Sequence, residues 1–171
     1  MRTTADIQTA VTALQQGQVI AYPTEAMYGL GCDPFCESAL QRIITLKERP
    51  SAKGLIIVTD QWERVHTLTQ PLSTEQYNVI FDSWPGHTTW LFPASDEAPS
   101  LIIGDHSTIA IRISAHPLVQ DLCAAYGGPI VSTSANKHQQ APCLNASAVS
   151  ATFGTDIDCI IDGPIGQAVS A

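Results

Sequence analysis

Apolar side chains at helical spacing alternate with short apolar runs along almost the whole chain. Between Ile7 and Leu14 the apolar positions recur at offsets 0, 3, 4 and 7, which is typical of an amphipathic helix. The two patterns predict helices over residues 4–16, 37–48, 60–68, 73–82, 117–126 and 145–153, and strands over residues 19–22, 55–58, 88–92, 108–113, 130–133 and 157–161. This alternation, without a repeat or a linker, predicts one mixed α/β domain over residues 1–171.

Composition and charge narrow the class of protein. The hydrophobic fraction of 44% is too high for a disordered chain, and 16 acidic against 8 basic residues give a net charge of −8. That charge argues against a broadly basic nucleic-acid-binding surface. The longest charge-free apolar stretches contain glycine, proline and hydroxyl residues, and the N-terminus lacks an apolar leader. We therefore expect no membrane association and a cytoplasmic location.

The cysteines and histidines indicate no metal site. Cys32 and Cys36 are four positions apart, but no second Cys/His pair follows at zinc-like spacing. We expect the five cysteines to be reduced thiols that act mainly as small apolar groups. Sequence signatures of a P-loop, a dinucleotide-binding loop, a nucleophile elbow and a zinc-protease helix are also missing. Among the scattered histidines, His87 is notable because it follows a Pro-Gly pair.

Three of the eight basic residues lie within seven positions, where a predicted helix gives way to a strand. Lys47 and Arg49 are expected at the exposed last turn of that helix, where cations complement the helix dipole. The alternative is a phosphate clamp, in which Arg49 offers a planar fork and Lys47 and Lys53 offer point charges. Pro50 and Gly54 would form the turn that directs these groups at one ligand.

Small polar side chains follow two of the predicted strands. Ser134 and Asn136 lie in a Ser-Thr-Ser-Ala-Asn run, and such groups at the carboxyl end of a strand suit a ligand crevice. The alternative is a turn held by local side-chain hydrogen bonds. Thr24 precedes Gly29 and Gly31, which predict a tight loop that allows close backbone approach.

Arg112 interrupts the apolar strand predicted over residues 108–113. Burial of a guanidinium without a partner is costly, so Arg112 needs a carboxylate nearby. That carboxylate belongs either to the protein itself or to a ligand.

Taken together and in this order, these segments resemble the YrdC-like family, the threonylcarbamoyl-AMP synthases of tRNA modification. The family's Lys-x-Arg signature is matched at residues 47–49 and its Ser-x-Asn signature at residues 134–136. The matching segments are residues 22–31, 46–50 with 53–54, 84–86, 109–112, 116–118 and 131–136.

The resemblance implies an α/β fold in which a twisted, open mixed sheet with flanking helices surrounds a large concave cavity. It implies a nucleotidyltransferase that makes threonylcarbamoyl-adenylate and pyrophosphate from L-threonine, bicarbonate or CO₂, and ATP. ATP would enter with Mg²⁺, and no tightly bound cofactor is expected. A downstream tRNA threonylcarbamoyltransferase complex would pass the product's threonylcarbamoyl group to adenosine 37 of tRNAs that read ANN codons.

The same resemblance assigns roles to individual residues. It implies catalytic roles for Lys47 and Arg49, ATP binding by Arg49, Lys53, Ser134 and Asn136, threonine binding by Thr24, Arg112 and Ser134, and no metal ligand. Two anions must meet in this reaction, so the site mainly has to supply positive charge and alignment.

The chain also departs from the family pattern. Ala26 stands where the family often has a second threonine, and Lys137-His138-Gln139 replaces a common Leu/Ile-Ser-Gly. The C-terminal end, at Ala171, is shorter than usual for the family. The alternative function is a non-catalytic RNA-binding module that uses the basic concave face, with weak tRNA binding. The net charge of −8 disfavours strong binding to a nucleic-acid backbone.

Overall fold

The computed structural model describes residues 2–48, 50–137 and 139–167. In these ranges one sheet contains β1 (Arg2–Thr4), β2 (Ile20–Pro23), β3 (Tyr28–Gly31), β4 (Ile56–Thr59), β5 (Trp90–Pro93), β6 (Thr108–Ile113), β7 (Ile130–Ser134) and β8 (Cys159–Ile161). The helices are α1 (Ile7–Gln15), α2 (Glu37–Leu46), α3 (Thr74–Asp82), α4 (Ser100–Ile103), α5 (Pro117–Tyr126) and α6 (Ala146–Phe153).

The sheet is mixed, with the strand order β1-β8-β2-β3-β7-β4-β6-β5. Parallel pairs join β1 to β8, β8 to β2 and β4 to β6, and the remaining neighbours are antiparallel. Helices α1 and α5 share one apolar cluster, whereas α2, α4 and α6 contribute to another. The predicted mixed α/β fold is confirmed. Within the described ranges, no helix has both the length and the apolar character needed to cross a membrane.

Helix α5 begins and ends at the residues predicted from the sequence. Pro117 occupies the first turn, where its missing N–H is not needed, and Gly127 ends the helix in the left-handed conformation with φ of 83°. In α1, the Asp6 side chain accepts hydrogen bonds from the backbone N–H groups of Gln8 and Thr9. These local signals act within a few residues, so they can be recognised without knowledge of the fold.

The structure differs from the sequence predictions for one helix and for one loop. Residues 60–68 form two short 3₁₀ turns, Trp62–Arg64 and His66–Leu68, and not one helix. Their hydrogen bonds run from the N–H of residue i+3 to the carbonyl oxygen of residue i, as from Val65 to Trp62. The sequence prediction failed here because apolar residues in this tighter helix are spaced much as in an α-helix.

The loop predicted around Gly29 and Gly31 is strand β3, which pairs with both β2 and β7. A Cβ atom at Gly31 would lie 2.6 Å from the Val131 carbonyl oxygen and 2.7 Å from a ring carbon of Tyr22. The glycine is therefore required by close packing within the sheet and does not mark a turn.

The cysteines belong to the core. All five are thiols and four of them are buried, which confirms the expectation of reduced, apolar cysteines. Burial raises the pKa of the Cys123 thiol to about 12. It also raises the pKa of Cys32, so neither thiol is ionised at neutral pH.

Candidate active site

Strands β3, β4, β6 and β7 form the wall of a cavity of about 280 Å³. We call it the arginine cavity; it is lined by Thr24, Met27, Tyr28, Gly29, Leu55, Ile56, Thr89, Arg112, Ser132, Thr133 and Ser134. The lining is mixed, with aliphatic side chains, several hydroxyl groups and one cation. Such a surface suits a small ligand that has an apolar part and a negatively charged part.

A smaller hollow of about 120 Å³ has a different chemical character. We call it the lysine cavity; it is lined by Lys47, Pro50, Lys53, Ser134, Asn136, Lys137 and Gln139. Three ammonium groups converge here in a chain whose net charge is −8, and no carboxylate stands among these described lining residues. The hollow is therefore suited to an anion with several oxygen atoms.

Lys47 connects helix α2 with the loop that follows β7. Its ammonium donates to the carbonyl oxygens of Ser134 and Asn136 and to Oδ1 of Asn136, both Asn136 contacts being 3.0 Å long. Ser134 Oγ donates to the same Oδ1 at 2.6 Å. Lys47 and Asn136 are 89 positions apart in sequence, so one side chain joins the Lys-x-Arg segment to the Ser-x-Asn segment.

The expected exposure of Lys47 is wrong. The residue caps the C-terminus of α2, as the helix-dipole interpretation requires, but it is only 6% exposed. Its side chain turns inward because the acceptors of the Ser134–Asn136 loop satisfy the ammonium. Ser134 and Asn136 hold a local turn, as the turn interpretation predicts, and they also line the lysine cavity. The ligand crevice at this loop and the phosphate clamp both stay predictions.

Lys53 is placed by a constrained backbone. It ends a 3₁₀ turn, Ser51–Lys53, and Gly54 follows with φ of 60° and ψ of −177°, a conformation that is essentially restricted to glycine. A Cβ atom at Gly54 would lie 2.5 Å from the carbonyl oxygen of Ile102. The turn predicted from Pro50 and Gly54 exists, and it brings Lys53 to the lysine cavity.

We expect Gly54→Ala to lower the free energy of unfolding by about 2–4 kcal/mol, because the new methyl group meets backbone in a strained conformation. The matched control is Gly127→Ala, since Gly127 also has a positive φ but its added methyl group would find open space, with no packed atom within 4 Å. The control should cost about 1 kcal/mol. Urea denaturation of both variants measures the difference, and equal losses would contradict the packing argument.

Arg112 lies in β6 and is buried, being 4% exposed. Its side chain lies next to that of Glu25. Its NH1 lies 4.0 Å from Glu25 Oε2, beyond hydrogen-bond distance, and its Nε has no hydrogen-bond partner. Arg112 was expected to need a carboxylate nearby, and within the protein Glu25 supplies it. Arg112 nevertheless lines the arginine cavity, so a ligand carboxylate can also reach it.

Thr24 lies on the segment that joins β2 to β3 and is 4% exposed. Its hydroxyl donates to the Met27 carbonyl oxygen at 2.8 Å, and its carbonyl oxygen accepts from the Gly166 N–H at 2.9 Å. The hydroxyl oxygen can still accept a hydrogen bond from a ligand. Thr24, Arg112 and Ser134 line one cavity. Their role in threonine binding stays a prediction.

The remaining residues that the sequence singled out are not among the described lining residues of either cavity. Arg49, the second residue with a predicted catalytic role, lies outside the described residues, as does His138. Ala26 is buried, at 9% exposed. His87 lines neither the arginine cavity nor the lysine cavity.

The sequence analysis assigned no role to Glu25, Ser114 or His116. Ser114 Oγ donates to Glu25 Oε1 at 2.6 Å, and the Ala115 N–H donates to the same oxygen at 3.2 Å. His116 binds the Pro164 carbonyl oxygen through Nε2 at 3.1 Å. The need of Arg112 for a counter-charge was the available signal, but only the fold shows that Glu25 supplies it.

The fold and these two cavities define an α/β protein that gathers cations and small hydroxyl groups around two hollows. The Sua5/YciO/YrdC family model, which is described as "Telomere recombination", matches residues 12–170. The chain belongs to this family.

Several known proteins are similar to the chain. A threonylcarbamoyl-AMP synthase of Coxiella burnetii is 48% identical over 95% of this chain and 88% of its own length. A threonylcarbamoyl-AMP synthase of Vibrio vulnificus is 46% identical over 95% of this chain and 89% of its own length. The crystal structure of P. abyssi Sua5 complexed with L-threonine is 31% identical, with a TM-score of 0.89 over 97% of this chain. The chain spans about half, 51%, of that Sua5 chain.

Proposed function

We propose that this chain is an enzyme that makes threonylcarbamoyl-adenylate and pyrophosphate from L-threonine, bicarbonate or CO₂, and ATP. The observation that carries the proposal is the position of Ser134, which lines both the arginine cavity and the lysine cavity. A ligand carboxylate at Arg112 and a polyphosphate at the lysines would thus approach each other at Ser134. The relatives named threonylcarbamoyl-AMP synthase support this assignment.

In the proposed reaction, the amine nitrogen of threonine forms a bond to the carbon of CO₂ or bicarbonate. With CO₂ as the donor, one proton of the neutral amine leaves to solvent. With bicarbonate as the donor, that proton leaves together with the bicarbonate hydroxyl as water. An oxygen of the resulting carbamate then attacks the α-phosphorus of ATP, and the bond from that phosphorus to the pyrophosphate oxygen breaks. The attacking oxygen is already anionic, so alignment and charge matter more than proton transfer.

Each cavity has its own part in this proposal. In the arginine cavity, Arg112 binds the threonine carboxylate, and Thr24 and Ser134 orient the rest of the amino acid. In the lysine cavity, Lys53, Ser134 and Asn136 bind ATP, with the phosphates at Lys53. Arg49 completes the phosphate site by resemblance, and Lys47 contributes positive charge behind the loop it binds.

ATP enters as its Mg²⁺ complex in this proposal. Mg²⁺ in proteins is typically held by one or two carboxylates together with substrate phosphates and water. The described residues that line the two cavities offer hydroxyl and amide oxygens but no carboxylate, and no described cluster of three His, Cys, Asp or Glu side chains could hold a metal. These residues do not fit a protein-held Mg²⁺, so no step is assigned to one.

The product is a mixed anhydride of a carbamic acid and AMP, which is an activated acyl donor. We propose that a tRNA threonylcarbamoyltransferase complex consumes it in the cytoplasm and modifies adenosine 37 of tRNAs that read ANN codons.

The test is pyrophosphate release by the purified chain. We expect release that requires L-threonine, bicarbonate and ATP together, with threonylcarbamoyl-adenylate detected by mass spectrometry. Omission of threonine should reduce the signal to background. If no release occurs and the chain instead binds tRNA in a salt-sensitive manner, the proposal is wrong and the RNA-binding alternative is supported.

A further inference from the structure

Glu25 is a buried carboxylate that the proposed reaction has not used. It is 8% exposed, it does not line the arginine cavity, and its Oε2 has no hydrogen-bond partner. Buried carboxylates are costly unless they are paired or hydrogen-bonded. The position of Glu25 therefore needs an explanation in terms of its neighbours.

Two donors hold one oxygen of this carboxylate. The Ser114 hydroxyl donates to Oε1 at 2.6 Å and the Ala115 N–H donates to it at 3.2 Å. Ser114 Oγ in turn accepts from the His116 N–H at 3.1 Å, so the hydroxyl proton is directed at Glu25. These bonds fix Glu25 from the side of the segment that leads into α5.

The second oxygen faces Arg112. Oε2 lies 4.0 Å from NH1, which is close enough for strong attraction between buried charges but too far for a hydrogen bond. Glu25 therefore balances the charge of the guanidinium without accepting a hydrogen bond from it. The donors at Ser114 and Ala115 hold the carboxylate at this distance.

We propose that Glu25 is a positioning residue for the substrate carboxylate. Held by Ser114 and Ala115, it keeps the charged Arg112 guanidinium at the wall of the arginine cavity and leaves the terminal N–H groups to the ligand. This inference rests on the proposed function, in which that ligand is L-threonine. Glu25 acts only through Arg112, so its effect must disappear when Arg112 is absent.

The experiment is a double-mutant cycle with Glu25→Gln and Arg112→Ala, read out as KM for threonine and KM for ATP. We expect Glu25→Gln to raise KM for threonine about tenfold while KM for ATP stays within about twofold. Only the Arg112 guanidinium, which binds the threonine carboxylate in this proposal, loses the charged group that positions it. In the Arg112→Ala background, the same change should alter KM for threonine by less than about twofold. Exposed Glu75, at the start of α3, offers the control Glu75→Gln, which should match the parent.

Ser114→Ala provides a second route if Glu25→Gln does not fold. It retains both charges but removes one of the two donors to Oε1, so KM for threonine should rise by about threefold and KM for ATP should not change. The inference is overturned if either variant raises both KM values equally, or if the Glu25 and Arg112 effects on threonine are additive. If the parent chain shows no threonine-dependent pyrophosphate release, the proposed function fails instead.

Discussion

Replacement of Lys47 by methionine should reduce threonylcarbamoyl-adenylate formation by about a thousandfold or more and lower the free energy of unfolding by about 2–4 kcal/mol. The ammonium donates to the Ser134 and Asn136 carbonyl oxygens and to the Asn136 amide oxygen. Methionine fills similar space but donates nothing, so all three acceptors lose the ammonium. The Ser134 carbonyl oxygen then keeps its bond from the Asn136 N–H, and Asn136 Oδ1 keeps its bond from Ser134 Oγ. The loop that borders both cavities would then lose its fixed position.

Pyrophosphate release and urea denaturation measure the two effects of Lys47→Met. Lys137→Met is the control, because it removes an equal charge from the wall of the same lysine cavity. It should leave the stability within about 0.5 kcal/mol, as is usual away from buried networks. If Lys47→Met abolishes activity with no loss of stability, Lys47 does not hold the loop. Its role is then only to balance the negative charge of the substrates.

The fold was predictable to the extent that its signals are local. The Pro117 and Gly127 boundaries of α5 rest on backbone preferences, and the apolar run that became β4 rests on burial. Strand β3 escaped prediction because its glycines at 29 and 31 have weak strand preference. Only the packing of Gly31 against Tyr22 and β7 requires a glycine there.

The site was predictable as a set of residues but not as a set of contacts. The two signatures and Arg112 stood out because cations and small polar groups followed or interrupted predicted strands. Burial of Lys47 could not be foreseen, since its acceptors lie 87 and 89 positions away. The same holds for Glu25, whose bond to Ser114 spans 89 positions. Such long-range contacts depend on the order of the strands in the sheet.

Replacement of Arg112 by alanine should raise KM for threonine by about a hundredfold or more and change KM for ATP by less than about threefold, because a buried charge-assisted contact to one substrate is lost. Arg112→Lys retains the charge but not the planar fork, so its KM for threonine should fall between those of the parent and Arg112→Ala. Arg112→Ala also leaves the Glu25 carboxylate without its counter-charge.

That uncompensated charge has a cost of its own. The loss of stability in Arg112→Ala should be about 1–3 kcal/mol, below the range usual for a buried ion pair, because Glu25 keeps its bonds to Ser114 and Ala115. Arg112→Ala combined with Glu25→Gln should recover part of that loss, since the amide does not carry the unbalanced charge. Steady-state kinetics with each substrate varied in turn, together with urea denaturation, test both points. A larger rise in KM for ATP than for threonine would place Arg112 at the nucleotide and not at the amino acid.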